Sequence, residues 1–329
     1  MICEFALEPE LVATWHNRNE FLFFDEKFGI RTRRIISAYP HKWRRMVMTA
    51  FRQGPCADDQ NAELRMSALL DDLCQNIVNR KSTFQEINVW LERTEREHND
   101  RPFHAIVAKE NPRTNCHVIV KSELVQNGHR FWLTPEIPVI QRNAEALAEA
   151  VGPLLRGSQH AIFIDPYFDP NKLQFVNPFK QFFIETWDRS HCNEDVIVEL
   201  HTGIDRFFHG WQRGAQRNPD GEVRVVRNLI SDLREKLSRI IPLGKTLSVY
   251  IWKERENGEK LHNRYILSEI AGVMFGTGLD QATAMESLET DDLSILSNVQ
   301  LDQRWKQFKS TPSAFTSVHE VIEIIGRRR

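Results

Sequence analysis

The feature that most constrains the fold is an alternation of strand patterns and helix patterns from about residue 141 onward. Short apolar runs bounded by turn residues predict strands, and longer runs with apolar residues every three or four positions predict helices. The predicted strands are 160–164, 196–201, 246–252, 262–269 and 273–275, and the predicted helices are 142–155, 179–187 and 222–241. Such alternation is typical of an α/β fold.

The first 140 residues show a different pattern, in which helices dominate. Amphipathic spacing predicts helices at 42–51 and 61–80, and two strands at 103–107 and 116–120 are joined by a turn. A polar stretch with three prolines, 111–140, marks the boundary. We therefore expect a mostly helical α+β accessory domain at residues 1–140 and an α/β domain at residues 141–329.

Composition excludes several classes of protein. The chain has 329 residues, enough to bury a core without disulfides or a metal, and its formal net charge is -2. A generally basic surface for nucleic acid is therefore absent, so binding would need a local patch. No apolar run predicts a membrane span, and the N-terminus does not resemble a signal peptide. Five scattered cysteines without metal-ligand spacing indicate reduced thiols, so we expect a cytoplasmic protein without a metal site.

Two side chains of one predicted strand are suited to bind and attack a phosphate. His262 and Arg264 are separated by one residue, and residues i and i+2 of a strand share a face. Their side chains are expected to leave the strand together, about 7 Å apart. An imidazole can attack or protonate, while a guanidinium holds an anion with paired hydrogen bonds. Phosphate is the natural anion for this pair.

Turns at the ends of further strands supply other candidate contacts. Gly276 and Thr277 end the next predicted strand and offer backbone N–H groups and a hydroxyl to the same anion. Asp165 and Tyr167 follow a strand at the edge where α/β proteins bind ligands, and His201 ends another strand there. A plain turn for the first pair and a buried histidine for the last remain the alternatives.

A basic segment of the first domain is a candidate surface for nucleic acid. Its six cations are Arg31, Arg33, Arg34, Lys42, Arg44 and Arg45. Tyr39 and Trp43 lie among them, and interleaved cations and aromatic rings suit a phosphate backbone and unstacked bases. A solvated helix face with a buried tryptophan is the alternative. His209 and Trp211 are interpreted as a cluster on an exposed loop.

The candidate residues resemble the signature of the phospholipase D superfamily, H-x-K-x4-D followed by Gly-Ser or Gly-Thr. His262, Arg264 and Glu269 stand at the three motif positions, with Arg264 in place of lysine and Glu269 in place of aspartate. Gly276 and Thr277 stand at the positions of the Gly-Ser or Gly-Thr pair, with the family's spacing. The order of predicted elements from about 145 to 300 is also similar to that of the family.

The resemblance implies a phospholipase-D-like α/β sandwich with a mixed sheet for residues 141–329. It implies a homodimer, because the family builds one active site from two motifs and this chain carries one copy. One histidine would attack phosphorus, while Arg264 and Thr277 bind phosphate. Glu269 would be an orienting or structural carboxylate, and Asp280 a further polar contact or a helix cap. No metal or other cofactor is needed, because the cations stabilise the phosphoryl charge.

We therefore expect a metal-independent phosphodiesterase, a nuclease for DNA rather than RNA, that acts through a phosphohistidine intermediate. The segment Asp165-Pro166-Tyr167-Phe168 is similar to an uncharacterised prokaryotic branch of the superfamily, which implies antiviral defence beside an ATPase or helicase. One alternative is a catalytically degenerate subunit that binds nucleic acid or assembles a larger complex. Phosphatidyl transfer on lipids is the other, and only 42–51 offers a membrane-contact segment for it.

Overall fold

A computed structural model divides the chain into two units, close to the boundary that the sequence predicts. The first unit comprises Met1–Glu136 with His191–Asn193, and the second comprises Ile137–Ser190 with Glu194–Arg329. The structure describes residues 2–81, 83–125, 128–132, 139–191, 195–205, 219–284, 287–309 and 313–328. His209 and Trp211 lie outside the described residues.

Five short strands of the first unit form one sheet in which all neighbours run parallel. The strands are β1 (Cys3–Leu7), β2 (Arg34–Ala38), β3 (Val78–Asn79), β4 (Ala105–Ala108) and β5 (Val118–Val120). The helices are α1 (Pro9–Val12), α2 (Arg18–Lys27), α3 (Trp43–Arg52), α4 (Gln60–Leu73), α5 (Trp90–Asp100) and α6 (Lys121–Val125). The strand order is β3-β2-β1-β4-β5, so the winding reverses between β1 and β4.

The expectation of a mostly helical α+β domain is wrong for this unit, which has the parallel sheet and crossover helices of an α/β fold. Strands β4 and β5 were predicted, and they pair in parallel. Strand β1 was missed because it is buried on both faces. Phe5 and Leu7 pack with helices α2 to α4, while Ala6 packs in the opposite cluster with Trp90 of α5. Such a strand lacks the alternation that marks a half-exposed one.

The second unit is built on a nine-stranded mixed sheet. Its strands are β6 (Val139–Gln141), β7 (His160–Ile164), β8 (Ile197–Gly203), β9 (Thr246–Lys253), β10 (Arg264–Ser268), β11 (Gly272–Phe275), β12 (Thr290–Ile295), β13 (Thr316–Ser317) and β14 (Ile322–Ile325). Its helices are α7 (Ala144–Gly157), α8 (Leu173–Phe183), α9 (Pro219–Leu237) and α10 (Asn298–Lys309). The order is β13-β9-β8-β7-β10-β11-β12-β6, and β14 also pairs with β9. A mixed α/β architecture is thereby confirmed.

Helices pack on both faces of this sheet. On one face, Phe163 of β7 contacts Phe179 and Phe182 of α8, with ring centroids 5.4 and 5.6 Å apart. On the other face, Ile162 of β7 packs in one cluster with Phe308 of α10. The period of two along a strand places neighbouring residues of β7 on opposite faces, so one strand contributes to both cores.

The direction of the strands brings several loops of the second unit to one edge of the sheet. Strands β7, β8 and β9 are parallel and end there. Strand β10 is antiparallel to β7 and begins there, and β11, antiparallel to β10, ends there. We call this edge the carboxyl edge of the second sheet. Among the described helices, none combines the length and apolar character needed to cross a membrane.

Candidate functional site

His262 and Arg264 lie at the carboxyl edge of the second sheet, where β10 begins. Arg264 is the first residue of β10 and pairs with Phe275, the last residue of β11. His262 precedes the strand and its side chain is exposed, so the strand is shorter than predicted. His262 and Thr277 each lie two residues beyond this end of the β10–β11 pair. The antiparallel register therefore directs the histidine and the Gly-Thr turn to the same edge.

The Arg264 side chain rests on an aromatic ring and keeps one nitrogen without a hydrogen bond. Its guanidinium carbon lies 4.5 Å from the centroid of the Tyr167 ring. Its Nε atom is buried and makes no hydrogen bond to any described residue. A stacked guanidinium is held in one orientation while its N–H groups remain directed outward. Because the Arg264 side chain is also partly exposed, its guanidinium retains hydrogen-bonding capacity for an anion.

Asp165 positions the tyrosine beneath this guanidinium. Asp165 directly follows β7, is 1% exposed, and accepts a hydrogen bond from the Tyr167 amide at its Oδ1, 2.9 Å away. Its own amide donates to the carbonyl oxygen of His201 on β8 over 3.0 Å. The structure thus brings Asp165, Tyr167 and Arg264 together. Asp165 acts there through the turn that it stabilises, which is the alternative that the sequence left open.

The segment before His262 is held by Glu254. The Glu254 carboxylate accepts hydrogen bonds from Nζ of Lys260 and from the amide of Leu261, at 2.8 and 2.9 Å. Burial raises the pKa of Glu254, but these two hydrogen bonds and neighbouring positive charge lower it below its ordinary value. The carboxylate is therefore ionised at neutral pH and fixes the backbone that presents His262.

The Gly276-Thr277 turn is occupied by a carboxylate that the sequence analysis missed. Oδ1 of Asp291, on β12, accepts hydrogen bonds from the Thr277 amide and hydroxyl at 3.0 and 3.2 Å. A Cβ at Gly276 would lie 3.0 Å from the same oxygen, so glycine permits the close approach. The prediction that this turn offers its groups to phosphate is therefore not supported. Thr277 is nevertheless exposed at the carboxyl edge.

Asp291 itself carries an incompletely bonded carboxylate. It is 3% exposed, and its Oδ2 is buried without a hydrogen bond to a described residue. The alternating burial of β12 marks Asp291 as an inward-facing residue. Its contact with Thr277 could not be predicted, because that contact depends on the pairing of β11 with β12.

Two other candidates have structural roles. The Asp280 carboxylate accepts from Nη2 of Arg142 at 2.9 Å and from Nε2 of Gln174 at 3.2 Å, so it joins the end of β6 to the first turn of α8. Glu269 lies at the opposite end of β10, roughly 16 Å from Arg264 along the chain. It accepts hydrogen bonds from the amides of Gln159 and His160. The predictions of substrate contact for Asp280 and of a catalytic role for Glu269 are therefore not supported.

His201 is a buried histidine whose ring nitrogens are both hydrogen-bonded. Nδ1 lies 2.9 Å from the indole Nε1 of Trp252, which can only donate, so Nδ1 accepts and the proton is on Nε2. Nε2 lies 3.0 Å from the Glu199 carboxylate, and the ring stacks on Tyr250. Burial lowers the pKa of His201, although Glu199 opposes this effect. The prediction that His201 contacts substrate is therefore wrong, since its side chain is enclosed in the core.

The six cations of the basic segment do not form one surface. Arg31, Arg33 and Arg34 lie at the amino end of β2, whereas Lys42, Arg44 and Arg45 lie beyond its carboxyl end. Of the first group, Arg34 donates to the carbonyl oxygen of Trp132 at 2.6 Å and rests on that ring. Of the second, Arg44 pairs with Asp71. The predicted continuous nucleic-acid surface is therefore split by a strand.

Comparison with models of protein families and with curated proteins finds no match for this sequence. Within the described residues, no cluster of three or more histidine, cysteine or carboxylate side chains could hold a metal ion. The carboxyl edge of the second sheet presents an exposed imidazole, His262, beside the stacked guanidinium of Arg264. Such a pair can bind a phosphate and transfer or accept a phosphoryl group.

Proposed function

We propose that the chain is a phosphodiesterase that cleaves DNA without a metal ion and works as a homodimer. The observation that carries this proposal is the pair at the start of β10. His262 is exposed, and Arg264 lies on Tyr167 with a buried Nε that bonds no described residue. Arg264 would bind a phosphate and neutralise the charge that grows in the transition state.

The reaction needs two histidines, which two copies of the chain would supply. A ring nitrogen of His262 attacks phosphorus, and a P–N bond forms as the bond to the leaving oxygen breaks. His262 of the second copy gives its proton to the leaving oxygen. Water then attacks phosphorus and loses a proton to that second histidine, while the P–N bond breaks. Both imidazoles are thereby regenerated.

A polar cavity near Asp280 supports a nucleic acid as substrate rather than a lipid. It has a volume of about 680 Å³. Two of its lining residues place it near Asp280: Arg142 donates a hydrogen bond to the Asp280 carboxylate, and Gln281 is the next residue in the chain. Four more amide side chains line it: Gln141, Asn143, Asn177 and Gln181. Amides donate and accept hydrogen bonds and so suit the edges of bases. The resemblance additionally motivates a role against foreign DNA.

The test is cleavage of single-stranded and double-stranded DNA in the presence of EDTA. We expect the wild type to cleave and His262→Ala to lose about 10³-fold or more, because the residue serves as nucleophile and as acid. His319→Ala is the matched control, since it removes another exposed histidine of the same unit. Equal activity of wild type and His262→Ala, or activity abolished by EDTA, would contradict the proposal.

Mixed dimers test the shared site. If each site needs His262 from both copies, equal mixing of wild type and His262→Ala after subunit exchange leaves about one quarter of the dimers active. Activity that stays at one half would show that each chain acts alone.

A second candidate function is a binding or assembly subunit without turnover. It is favoured by the Thr277 hydroxyl, which Asp291 already engages, and by Glu269, which bonds only backbone amides in the contacts described above. This alternative predicts that DNA is retained on a filter by wild type and His262→Ala alike, with no cleavage by either. A strict monomer in solution would also favour it.

A further inference from the structure

The first unit contains a cavity that the proposed phosphodiesterase does not use. It lies beyond the carboxyl ends of β1 and β2 and has a volume of about 860 Å³. Lys42 and Arg45 line it from the start of α3, Arg93 lines it from α5, and Glu10 from α1. We call it the basic cavity. Its size is that of a small-molecule site.

Cationic side chains outnumber carboxylates in the lining of the basic cavity. The side chains of Lys42 and Arg45 form no hydrogen bond or ion pair with the described residues, whereas Arg44, one position before Arg45, pairs with Asp71 outside the cavity. Nε of Arg93 donates to the carbonyl oxygen of Thr83 at 2.9 Å, which fixes its guanidinium. Three basic side chains and one acidic side chain therefore line the cavity, which favours an anionic ligand.

The backbone holds Lys42 at the cavity in an unfavourable conformation. Its φ is 74°, in the left-handed region, which costs a lysine about 1 kcal/mol or more. The next residue fixes this geometry, because the indole of buried Trp43 donates to the carbonyl oxygen of Leu7 at 2.6 Å. Helix α3 therefore starts at the end of β1, and Lys42 is directed by the fold. Strain retained in this way is concentrated at ligand sites.

The remaining lining indicates what accompanies the anionic group. In α/β folds, ligands bind outside the carboxyl ends of the strands, and the basic cavity lies at these ends of β1 and β2. The cavity is much larger than a phosphate, and it offers amides from Gln53 and Gln85 beside the apolar groups of Met46 and Ala50. Amides can bond a heterocycle, and apolar groups can cover its face. We propose that the basic cavity binds a nucleoside phosphate, with Lys42, Arg45 and Arg93 on the phosphate groups.

The experiment is calorimetric titration of the full chain with ATP, pyrophosphate and adenosine, each up to about 1 mM. We expect ATP to bind, pyrophosphate to bind more weakly and adenosine most weakly. The double variant Lys42→Met/Arg45→Gln should weaken ATP binding about 100-fold, since each charged contact contributes about tenfold. Arg44→Gln is the matched control and should bind like the wild type. Circular dichroism verifies that each variant is folded.

Several outcomes would overturn the inference. No binding of ATP to the wild type would do so, as would equal weakening by Arg44→Gln. Adenosine binding as tightly as ATP would show that the cations are not the recognition element. Binding of a DNA oligonucleotide that requires Lys42 and Arg45, without binding of ATP, would assign the basic cavity to nucleic acid instead. His262→Ala should bind ATP normally, so failure of the phosphodiesterase proposal leaves this inference standing.

Discussion

The two units bury charge in different ways. In the first, the arginine cluster of Arg80, Glu4 and Glu97 places a permanent cation between two carboxylates, and all three side chains are at most 1% exposed. In the second, the histidine cluster of Glu199, His160, His201 and Lys309 places one carboxylate among two imidazoles and an ammonium. The three members of the first cluster are enclosed, and Arg101, 20% exposed, also pairs with Glu97 at 2.7 Å. In the second cluster, the cation Lys309 is itself 30% exposed at its side chain.

The difference lies in which group can return to water when a partner is removed. Arg80 donates to Glu4 at 2.7 and 2.9 Å, to Glu97 at 3.0 Å, and to two carbonyl oxygens. Without it, two carboxylates stay enclosed. Without Glu199, the released cation is Lys309, which can turn toward solvent. A buried ion cluster is therefore most sensitive where its unpaired members cannot be hydrated.

The largest effect is expected from Arg80→Met, which keeps an unbranched side chain and removes the charge. We expect the free energy of unfolding of the first unit to fall by about 3–5 kcal/mol, because Glu4 loses the cation that binds both of its carboxylate oxygens, while Glu97 keeps its pair with Arg101. Hydrogen exchange of peptides from β1 and β4 measures this unit separately.

Arg52→Met is the matched control, since Arg52 forms an exposed pair with Glu63. It should change the free energy by less than about 1 kcal/mol. If both variants exchange alike, the arginine cluster does not stabilise the unit.

The fold of the second unit was largely predictable because its signals are local. Strand β7 coincides with the predicted 160–164, and the long helix predicted at 222–241 is α9, Pro219–Leu237. Short apolar runs and amphipathic repeats mark such elements within a few residues. In the first unit, strands buried on both faces carry no such alternation, so the parallel sheet was missed.

The candidate site was predictable only where it is local. His262 and Arg264 lie two positions apart, so any strand at this point brings them to one end. Asp291 reaches Thr277 only through the pairing of β11 with β12. The arginine cluster joins residues 4, 80 and 97, which one sequence does not connect. Contacts that depend on sheet register have no short-range signal.

A smaller effect is expected from Glu199→Gln, which keeps the shape of the side chain. Burial raises the pKa of Glu199, but the His160 ring 3.1 Å away and hydrogen bonds from His201 and Lys309 together lower it below its ordinary value. We expect the free energy of unfolding of the second unit to fall by about 1.5–3 kcal/mol at pH 7, because charged hydrogen bonds are lost.

The pH dependence sharpens this expectation. The folded pKa of Glu199 is depressed, so the difference from Glu199→Gln is complete above the unfolded pKa near 4.5 and shrinks only below it. Glu323 on β14 is an exposed carboxylate that accepts a hydrogen bond from Ser248. The free energy of unfolding of Glu323→Gln should therefore stay within about 0.5 kcal/mol of the wild-type value. A loss from Glu199→Gln that equals the loss from Arg80→Met would remove the proposed difference between the clusters.

The smallest effect concerns His98, which lies beside the arginine cluster in the first unit. Burial, His117 and Arg80 lower the pKa of His98 from 6.5 to about 4. Between these values the unfolded chain binds a proton that the folded chain excludes, so stability falls as pH decreases from 6.5 toward 4, by at most about 1.4 kcal/mol per pH unit. His98→Phe should make this decline shallower without abolishing it, because burial also lowers the pKa of His104.

The measurement for His98 is hydrogen exchange of β1 and β4 at pH 7, 6 and 5, corrected for the intrinsic exchange rate. His319→Phe replaces an exposed histidine of the second unit and should retain the wild-type slope. An unchanged slope in His98→Phe would show that the acid sensitivity has another source. If His98→Phe also removed the pH dependence of exchange in β7 to β9, the two units would not respond separately.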